Sequence, residues 1–422
     1  MQWGVKVDQT GGVAELDILS WLDSEESVKP KIAVRSSAHA KSLTTDNTVK
    51  MGFEVQREVL LSLLNKAISA VPSNTMIPVL NNFKCAVGND KLVVVGSSKS
   101  MSIAVTTDQV SISTEGTQVF PAKTFLNIVK ECNPGSTVFI EVTDVGAVIV
   151  AGSFSVEIAL AKADGYPALE DVSALEFHQV NRLQFIDAIN IVKYALPSRE
   201  FSGQSSMKMI NIKGGKFTAC DGSRFQQSRI HGFKLHMQLP ADSISILNKL
   251  LGGSDLENLE IGEVTKKLIF KLGTTVFYVN KLDDPYPNVE QLWLRPALTN
   301  DQELLVDRQE LITAIKQVRT TADTNSSALG LQVEAESMRI VTKDTNNSAS
   351  ATIACKWSGK SRNIVVNYLH LAEMLKAYPS TECRFMLGED TQKHKSPILL
   401  RDDDTMAIAT ISQLLAYQPG LL

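Results

Sequence analysis

The chain has 422 residues, enough for about three domains at roughly 150 residues each. Hydrophobic residues make up 44% and charged residues 21%, a globular balance that excludes a disordered, collagen-like or coiled-coil chain. The net charge of −4 excludes a protein that coats nucleic acid over its whole surface and leaves only local basic stripes for such contacts.

Residues 1–51 stand apart from the rest of the chain. Val13, Leu16, Leu19 and Leu22 would share one face of a short acidic helix, and Ser36 to Thr48 is polar and linker-like. Three readings fit this segment: an appendage, a partner-docking arm, or a stretch ahead of a translation start at Met51. No apolar run approaches the roughly 18 residues of a membrane span, and no basic region precedes an apolar one, so a non-secreted, cytoplasmic protein is expected. The cysteines, Cys85, Cys132, Cys220, Cys355 and Cys383, show no C-x-x-C spacing and are odd in number. They read as small buried hydrophobes, not as a disulfide framework or a metal cage.

From Phe53 onward the chain repeats itself three times. Phe53-Glu-Val-Gln-Arg57, Gln179-Val-Asn-Arg182 and Leu305-Val-Asp-Arg308 share Val-x-Arg, with arginines 125 and 126 positions apart. Each arginine opens a predicted helix: Arg57 to Val71, Arg182 to Ala195, and Arg308 to Thr320. Their apolar residues recur at helical spacing, as in Leu60, Leu63, Leu64 and Ala67. A second helix comes later in each repeat, from Pro121 to Cys132, Pro240 to Leu251, and Asn367 to Tyr378, where Pro and Asn are helix-start residues. Short alternating runs such as Leu92–Val95, Ile210–Lys213 and Leu329–Val333 read as strands, joined by turns such as Gly88-Asn-Asp90 and Lys213-Gly-Gly215. The first two repeats close on Gly165-Tyr-Pro-Ala-Leu169 and Pro285-Tyr-Pro-Asn-Val289. The expected organisation is an α+β chain: an N-terminal extension over 1–51, then three domains over 52–170, 171–295 and 296–422, each with two helices packed on antiparallel sheets.

Charge separates the helices from the remainder. The six helices sum to a positive charge within a chain of net −4, so Lys66, Lys123, Lys130, Lys193, Lys249, Lys316, Arg319 and Lys376 could line one surface that faces phosphate. Taken singly, each is an ordinary solvated helix residue, and only the repetition carries the point. With helices about 10 Å wide and a duplex about 20 Å across, six helices side by side enclose an opening of only about 9 Å, whereas twelve enclose about 28 Å. Encircling DNA therefore requires two such chains.

The repeated motifs resemble the bacterial DNA polymerase III β sliding clamp family over residues 52 to about 415. The most specific pieces are Ile77-Pro-Val-Leu80, Ala219-Cys-Asp-Gly-Ser-Arg-Phe225, the two Tyr-Pro closings, and Val366-Asn367. The resemblance implies a head-to-tail homodimer, each chain half of a closed ring. A clamp loader opens the ring, which then slides on double-stranded DNA and tethers the replicative polymerase and other proteins bearing clamp-binding motifs. It implies no catalysis and no cofactor, Mg²⁺ belonging to the chemistry of the partners, and it places the protein at the nucleoid without a membrane role. Partner peptides would dock in a cleft between the second and third domains. Carried over, that cleft comprises Met207, Cys220, Gly222, Ser223, Arg224, Phe225, Pro287, Gln291, Leu292, Asn367, His370, Pro397, Ile398, Thr410 and Ile411. Met207, Phe225, Leu292, Ile398 and Ile411 would form its apolar floor, and Arg224 and Asn367 would bond the peptide backbone.

The departures from the family pattern are specific. Ser223 stands where His is usual, Gln291 where Arg is frequent, and His370 where Tyr is frequent. Ser412 replaces a terminal Pro, and the chain continues through Gln413 to Leu422, with Gln413-Leu-Leu415 read either as a self-occluding peptide or as a frayed end. The implied dimer contact sets Ser153, Val156 and Ile158 against Thr320 and Thr321, whose small side chains suggest a weaker or faster-opening dimer. Asn74, Arg199, Phe201 and Gln204 would meet DNA by the same carry-over, through salt-sensitive contacts that read no bases. Two rival readings stand beside this one. An enzyme lacks support, since the histidines show no ligand spacing, there is no P-loop or G-x-S-x-G, and Asp221 reads as a turn residue. A non-loading, clamp-like decoy that sequesters replication peptides keeps the fold and drops the ring.

Overall fold

The structure, a computed structural model, describes residues 48–198, 200, 202–282, 284–322, 327–388, 396–402 and 407–414. The predicted N-terminal helix, Arg199, Phe201 and the tail from Leu415 lie outside these residues. Among the described residues no helix is long and apolar enough to cross a membrane. The chain divides into two compact units, one of residues up to 179 together with 258–280, the other of 180–257 with 281–422.

The first unit carries α1 (Arg57–Ala67) and α2 (Ala122–Glu131). A five-stranded sheet orders Val110–Thr114, Met51–Gln56, Thr137–Val142, Ala147–Ala151 and Phe154–Ile158, the last at its edge. In a second sheet Asn258–Val264, Lys267–Leu272 and Thr275–Asn280 continue through Met101–Thr107, Lys91–Ser97 and Asn82–Gly88 to Gly116–Pro121. Helix α1 lies close on this sheet. A side chain at Gly96 would put its Cβ 2.1 Å from the Ala67 carbonyl oxygen, so only glycine admits the approach. The hairpin before it turns through Asn89 (φ 47°) and Asp90 (φ 59°), the left-handed pair that a two-residue connection needs.

The second unit holds α3 (Arg182–Val192), α4 (Ala241–Gly252), α5 (Arg308–Val318) and α6 (Tyr368–Ala377). Its nine-stranded sheet runs Met237–Pro240, Met209–Lys213, Lys216–Cys220, Arg224–Arg229, Ala407–Ile411, Ile398–Asp402, Glu382–Leu387, Gln302–Asp307 and Lys356–Trp357. A four-stranded sheet of Ser348–Ala354, Ser337–Lys343, Ala328–Val333 and Arg362–Asn367 packs with it around a core that includes Leu311, Ile315, Leu331, Ile340, Leu375 and Phe385. Along Ser337–Lys343 the buried residues Met338, Ile340 and Thr342 alternate with more exposed ones, the period-2 pattern of a strand covered on one face.

The six helices predicted in the repeats form within a few residues of their expected ends. The first helix of each repeat stops earlier than the apolar spacing suggests and ends in a 3₁₀ turn, at Ile68–Ala70, Lys193–Ala195 and Arg319–Thr321. The repeated arginines explain why the helices pair. Arg57 donates to the carbonyls of Val129 and Lys130, at 3.2 and 2.7 Å, at the C-terminus of α2. Arg182 donates to Leu251, at 2.5 Å, near the end of α4 and to Leu256, at 2.6 Å, just beyond it. Arg308 donates to Leu375, at 3.3 Å, in α6. An arginine at a helix N-terminus is poorly placed for its own macrodipole. Here each one satisfies the free carbonyls, and the negative dipole end, of the second helix in its own repeat.

Compactness groups the chain differently from repetition. Strand Thr275–Asn280, late in the second repeat, pairs with Met101–Thr107 of the first, so its hairpin partners join the first unit. Likewise Arg224–Arg229 pairs with Ala407–Ile411 of the third repeat. The sheets cross the expected boundaries at 170 and 295, which describe the sequence repeat and not the compact units.

Candidate functional site

The site expected from the sequence lies on the nine-stranded sheet of the second unit, where the register pairs Arg224 with Ile411 and Phe225 with Thr410. Cys220 and Phe225 are buried in a cluster with Val289, Leu294, Ala297 and Leu399, and Met207 packs against it from a 3₁₀ turn at Ser205–Lys208. Burial pushes the Cys220 thiol up to about 12, so it acts there as an apolar group. The remaining residues of the expected floor lie elsewhere. Ile398 and Ile411 belong to the core of the third repeat, while Leu292 is 65% exposed on a helical turn at Glu290–Leu294. The floor is therefore split, because strand alternation turns Ile398 and Ile411 inward and leaves Leu399 facing the Phe225 cluster.

Above this cluster sits a tight turn. Gly222 adopts φ 90°, a left-handed value that favours glycine, and Asp221 Oδ1 accepts from the backbone N–H groups of Ser223 and Arg224, both at 2.8 Å. Arg224 is buried. Its Nε donates to Asp221 Oδ2 at 2.8 Å, its Nη1 to the Glu373 carboxylate of α6, and its guanidinium lies 5.5 Å from the centroid of the Tyr194 ring. Tyr194 in turn donates to Gln226 Oε1 at 2.6 Å. The Nε and Nη1 of Arg224 are thus engaged within the chain. Asn367 Oδ1 caps α6, accepting from Leu369 N at 2.9 Å and His370 N at 3.3 Å.

His370 is half-buried beside this network. Desolvation first, and the Arg224 charge second, hold its pKa below the ordinary value, outweighing Asp221 and Glu373, which act the other way. Gln291 and Ser223 are exposed, Pro287 and Pro397 half-buried, and Thr410 is buried with its hydroxyl lacking a hydrogen-bond partner. Asp221, Glu373 and Tyr194 complete the site; Asp221 lies within the Ala219 to Phe225 motif, but no motif points to Glu373 or Tyr194. Asp221 is recognisable as a turn residue, whereas Glu373 reaches Arg224 across 149 positions and leaves no local signal.

The tail beyond Ile411 is ordered as far as it is described. Ser412 N donates to Ser223 O at 2.9 Å, Gln413 Nε2 to Ser396 O at 2.9 Å, and Leu414 N to Val365 O at 2.8 Å, with Leu414 against Ala328 and Val365. Gln413 and Leu414 lie along the third repeat. They do not occupy the Phe225 cluster.

The residues expected to meet DNA are exposed or half-buried wherever they are described. Lys66, Lys130, Lys249, Lys316 and Lys376 sit in the last turns of α1, α2, α4, α5 and α6, and Lys193 begins the 3₁₀ turn after α3. This recurrence has a local cause, since cations favour the negative end of a helix. Lys66 Nζ is 3.5 Å from Thr275 Oγ1, Lys123 Nζ donates to Ser73 O at 3.1 Å, and Lys193 Nζ to Asn190 Oδ1 at 2.7 Å. Arg319, Asn74 and Gln204 are exposed. Of the expected dimer residues, Ser153, Val156 and Ile158 lie on or beside the edge strand Phe154–Ile158, and Thr320 and Thr321 in the 3₁₀ turn after α5, where Thr321 Oγ1 lies 3.0 Å from Thr342 Oγ1.

Comparison with known proteins adds to this geometry. Residues 51–170 match the family of the DNA polymerase III beta subunit, N-terminal domain. The beta sliding clamp of Synechococcus elongatus is 25% identical over 355 residues, 81% of this chain and 92% of the relative, and that of Haemophilus influenzae is 23% identical over 352 residues, 80% and 93%. The solved DNA polymerase sliding clamp of Bacillus subtilis superimposes with a TM-score of 0.79 at 22% identity, and the Bartonella birtlesii clamp bound to griselimycin with 0.78 at 21%; each match covers 87% of this chain and 100% of the other. In sequence and in fold, this chain resembles the bacterial DNA polymerase III β sliding clamps.

Proposed function

We propose that this chain is a DNA sliding clamp, acting as a homodimeric ring that encircles duplex DNA and tethers the replicative polymerase. The observation that carries the reading is the threefold unit of two helices joined by an arginine. Each unit supplies one helix pair, and two chains would supply the twelve helices that enclose an opening of about 28 Å, wide enough for a duplex about 20 Å across. In this reading Lys66, Lys123, Lys130, Lys193, Lys249, Lys316, Arg319 and Lys376, with Asn74, Arg199, Phe201 and Gln204, meet phosphates through water and salt-sensitive contacts. The edge strand Phe154–Ile158 meets the end of α5 in a second copy. The Phe225 cluster and its rim take a short peptide whose apolar side chains supply most of the affinity. No step of chemistry is assigned to the chain.

The test is retention on nicked circular DNA against the same DNA linearised, after loading and a high-salt wash. A ring stays on circles and runs off linear ends. Equal loss from both, with a monomer in equilibrium sedimentation, refutes the ring. The second reading, a decoy that binds clamp-seeking peptides without loading, is favoured by Ser223, Gln291 and His370 at the rim and by Thr320 and Thr321 at the expected dimer contact. A decoy inhibits primer-dependent synthesis by a polymerase with its loader, whereas a clamp stimulates it.

A further inference from the structure

The repeat places a second cleft in the first unit, at a position equivalent to the Phe225 site. The backbone equivalence is given by hydrogen bonds. Ser98 N donates to Met101 O at 2.8 Å as Asp221 N does to Arg224 O at 3.2 Å, and Asn280 N donates to Ser100 O at 2.8 Å as Ser412 N does to Ser223 O at 2.9 Å. A 3₁₀ turn at Pro78–Asn81 stands where Ser205–Lys208 stands in the other, and Gly165-Tyr-Pro167 matches Pro285-Tyr-Pro287. Leu80 thus occupies the place of Met207, Met101 that of Arg224, and Ser98 that of Asp221.

The difference in side chains decides what the cleft holds. In the second unit the Arg224 guanidinium and the Asp221 carboxylate fill the turn with their ion pair. Met101 and Ser98 form none, and the first-unit cleft is an open pocket of about 350 Å³, lined also by the polar Ser98, Ser102 and Asn280. That volume suits one or two large side chains. Its walls include Leu80, Met101, Pro167 and the Tyr278 ring, and its lip is apolar surface left to solvent, with Ile77 37% and the adjoining Met76 99% exposed. The charged side chains lining it are Lys99 and Lys267, with no carboxylate among the lining residues. Lys267 Nζ lies 5.9 Å from the Tyr278 ring centroid and 3.6 Å from the carboxylate of Glu170, which does not line the cleft.

We propose that this cleft is a second peptide-docking site, taking an extended segment of another protein in which an apolar side chain is flanked by carboxylates. The apolar side chain fills the space between Leu80, Met101 and Pro167, and the carboxylates meet Lys99 and Lys267. The apolar patch of Leu80, Met101 and Pro167 beside the two lysines favours a peptide over a nucleic acid strand, whose phosphates would find two cations but whose sugars would lie against Leu80 and Met101. The inference extends the peptide-docking reading of the Phe225 site, and its test separates the two.

The probe is a hexapeptide of alternating aspartate and leucine bearing a benzophenone, photo-crosslinked to the full chain and mapped by mass spectrometry. Crosslinks within residues 77–102 or 267–280 are expected, weakened roughly tenfold by Lys267→Glu and by the exposed variant Lys99→Glu, and weakened similarly when asparagine replaces the peptide's aspartates. Crosslinks confined to 207–225 and 398–412 overturn this proposal and leave the Phe225 reading standing. Crosslinks confined to the first-unit cleft uphold it and refute the other. Displacement of the probe from 77–102 and 267–280 by an oligothymidylate of equal charge, at equal concentration, also overturns it. Lys99→Glu guards against a folding defect in Lys267→Glu, since Lys99 is exposed and forms no part of the Glu170 pair.

Discussion

Arg224 makes two ion pairs whose worth should differ sharply, because water reaches one partner and not the other. The Asp221 side chain is 11% exposed and that of Glu373 is 51% exposed, against 9% for Arg224 itself. A buried pair loses about 3–5 kcal/mol when one partner is removed, whereas a pair with an exposed member contributes about 0–1 kcal/mol. Arg224→Met keeps much of the length of the side chain and removes its charge. It leaves the Asp221 carboxyl without its cation, with the N–H groups of Ser223 and residue 224 as partial compensation, and forfeits roughly 0.5–1 kcal/mol of cation–π contact with Tyr194. The expected loss is about 3 kcal/mol. Double-mutant cycles by urea unfolding should give a coupling of about 2 kcal/mol for Arg224→Met with Asp221→Asn, and below about 1 kcal/mol for Arg224→Met with Glu373→Gln. Equal couplings, or a larger one for Glu373, would refute the argument that exposure decides.

The repeated arginines give a second expectation. Arg57→Ala and Arg182→Ala should each cost about 2 kcal/mol in urea unfolding, with lysine restoring only part, since a guanidinium reaches two carbonyls and an ammonium is a single point of charge. Arg308→Ala should cost less, because Arg308 reaches the Leu375 carbonyl while its Nε is buried without a hydrogen-bond partner. The depressed pKa of His370 sets a pH dependence. Below the ordinary histidine range the unfolded chain takes up a proton that the folded chain refuses, so stability should fall from about pH 6.5 downward until the folded ring also titrates, by at most about 1.4 kcal/mol per pH unit. His370→Gln should flatten that slope; an unchanged slope would assign it elsewhere. Two glycines should respond differently to alanine. Gly222→Ala meets no atom within 4 Å and should cost only the left-handed backbone penalty of about 1–2 kcal/mol, whereas Gly96→Ala meets the Ala67 carbonyl and should unfold or displace α1, seen as loss of amide protection over 57–67.

Some of this architecture is legible in the sequence because it is local. Val-x-Arg marks three helix starts, Pro121, Pro240 and Asn367 mark three more, and apolar spacing chooses the buried faces: Leu60, Leu63, Leu64 and Ala67 are the residues α1 buries. Asn89-Asp90 and Gly214-Gly215 announce their turns, since few other residues accept positive φ. The candidate site is legible in part. Met207, Cys220 and Phe225 lie in or against one cluster and the Asn367 cap is local, but the reach of Arg224 to Glu373 and Tyr194 and the inward turn of Ile398 and Ile411 leave no mark in the local pattern.

Residue pattern is enough for the threefold repeat, the helix starts, the turns and the resemblance to β sliding clamps, because each rests on residues within one or two turns of chain. Long-range packing settles what the repeated arginines bond, which strands of one repeat complete the sheet of another, and what braces Arg224 from α6. Those outcomes depend on pairs such as Arg224 with Glu373, or Tyr278 with Ser102, that lie more than a hundred positions apart. Pattern within a segment carries no information about which distant segment will satisfy its hydrogen bonds and cover its apolar face.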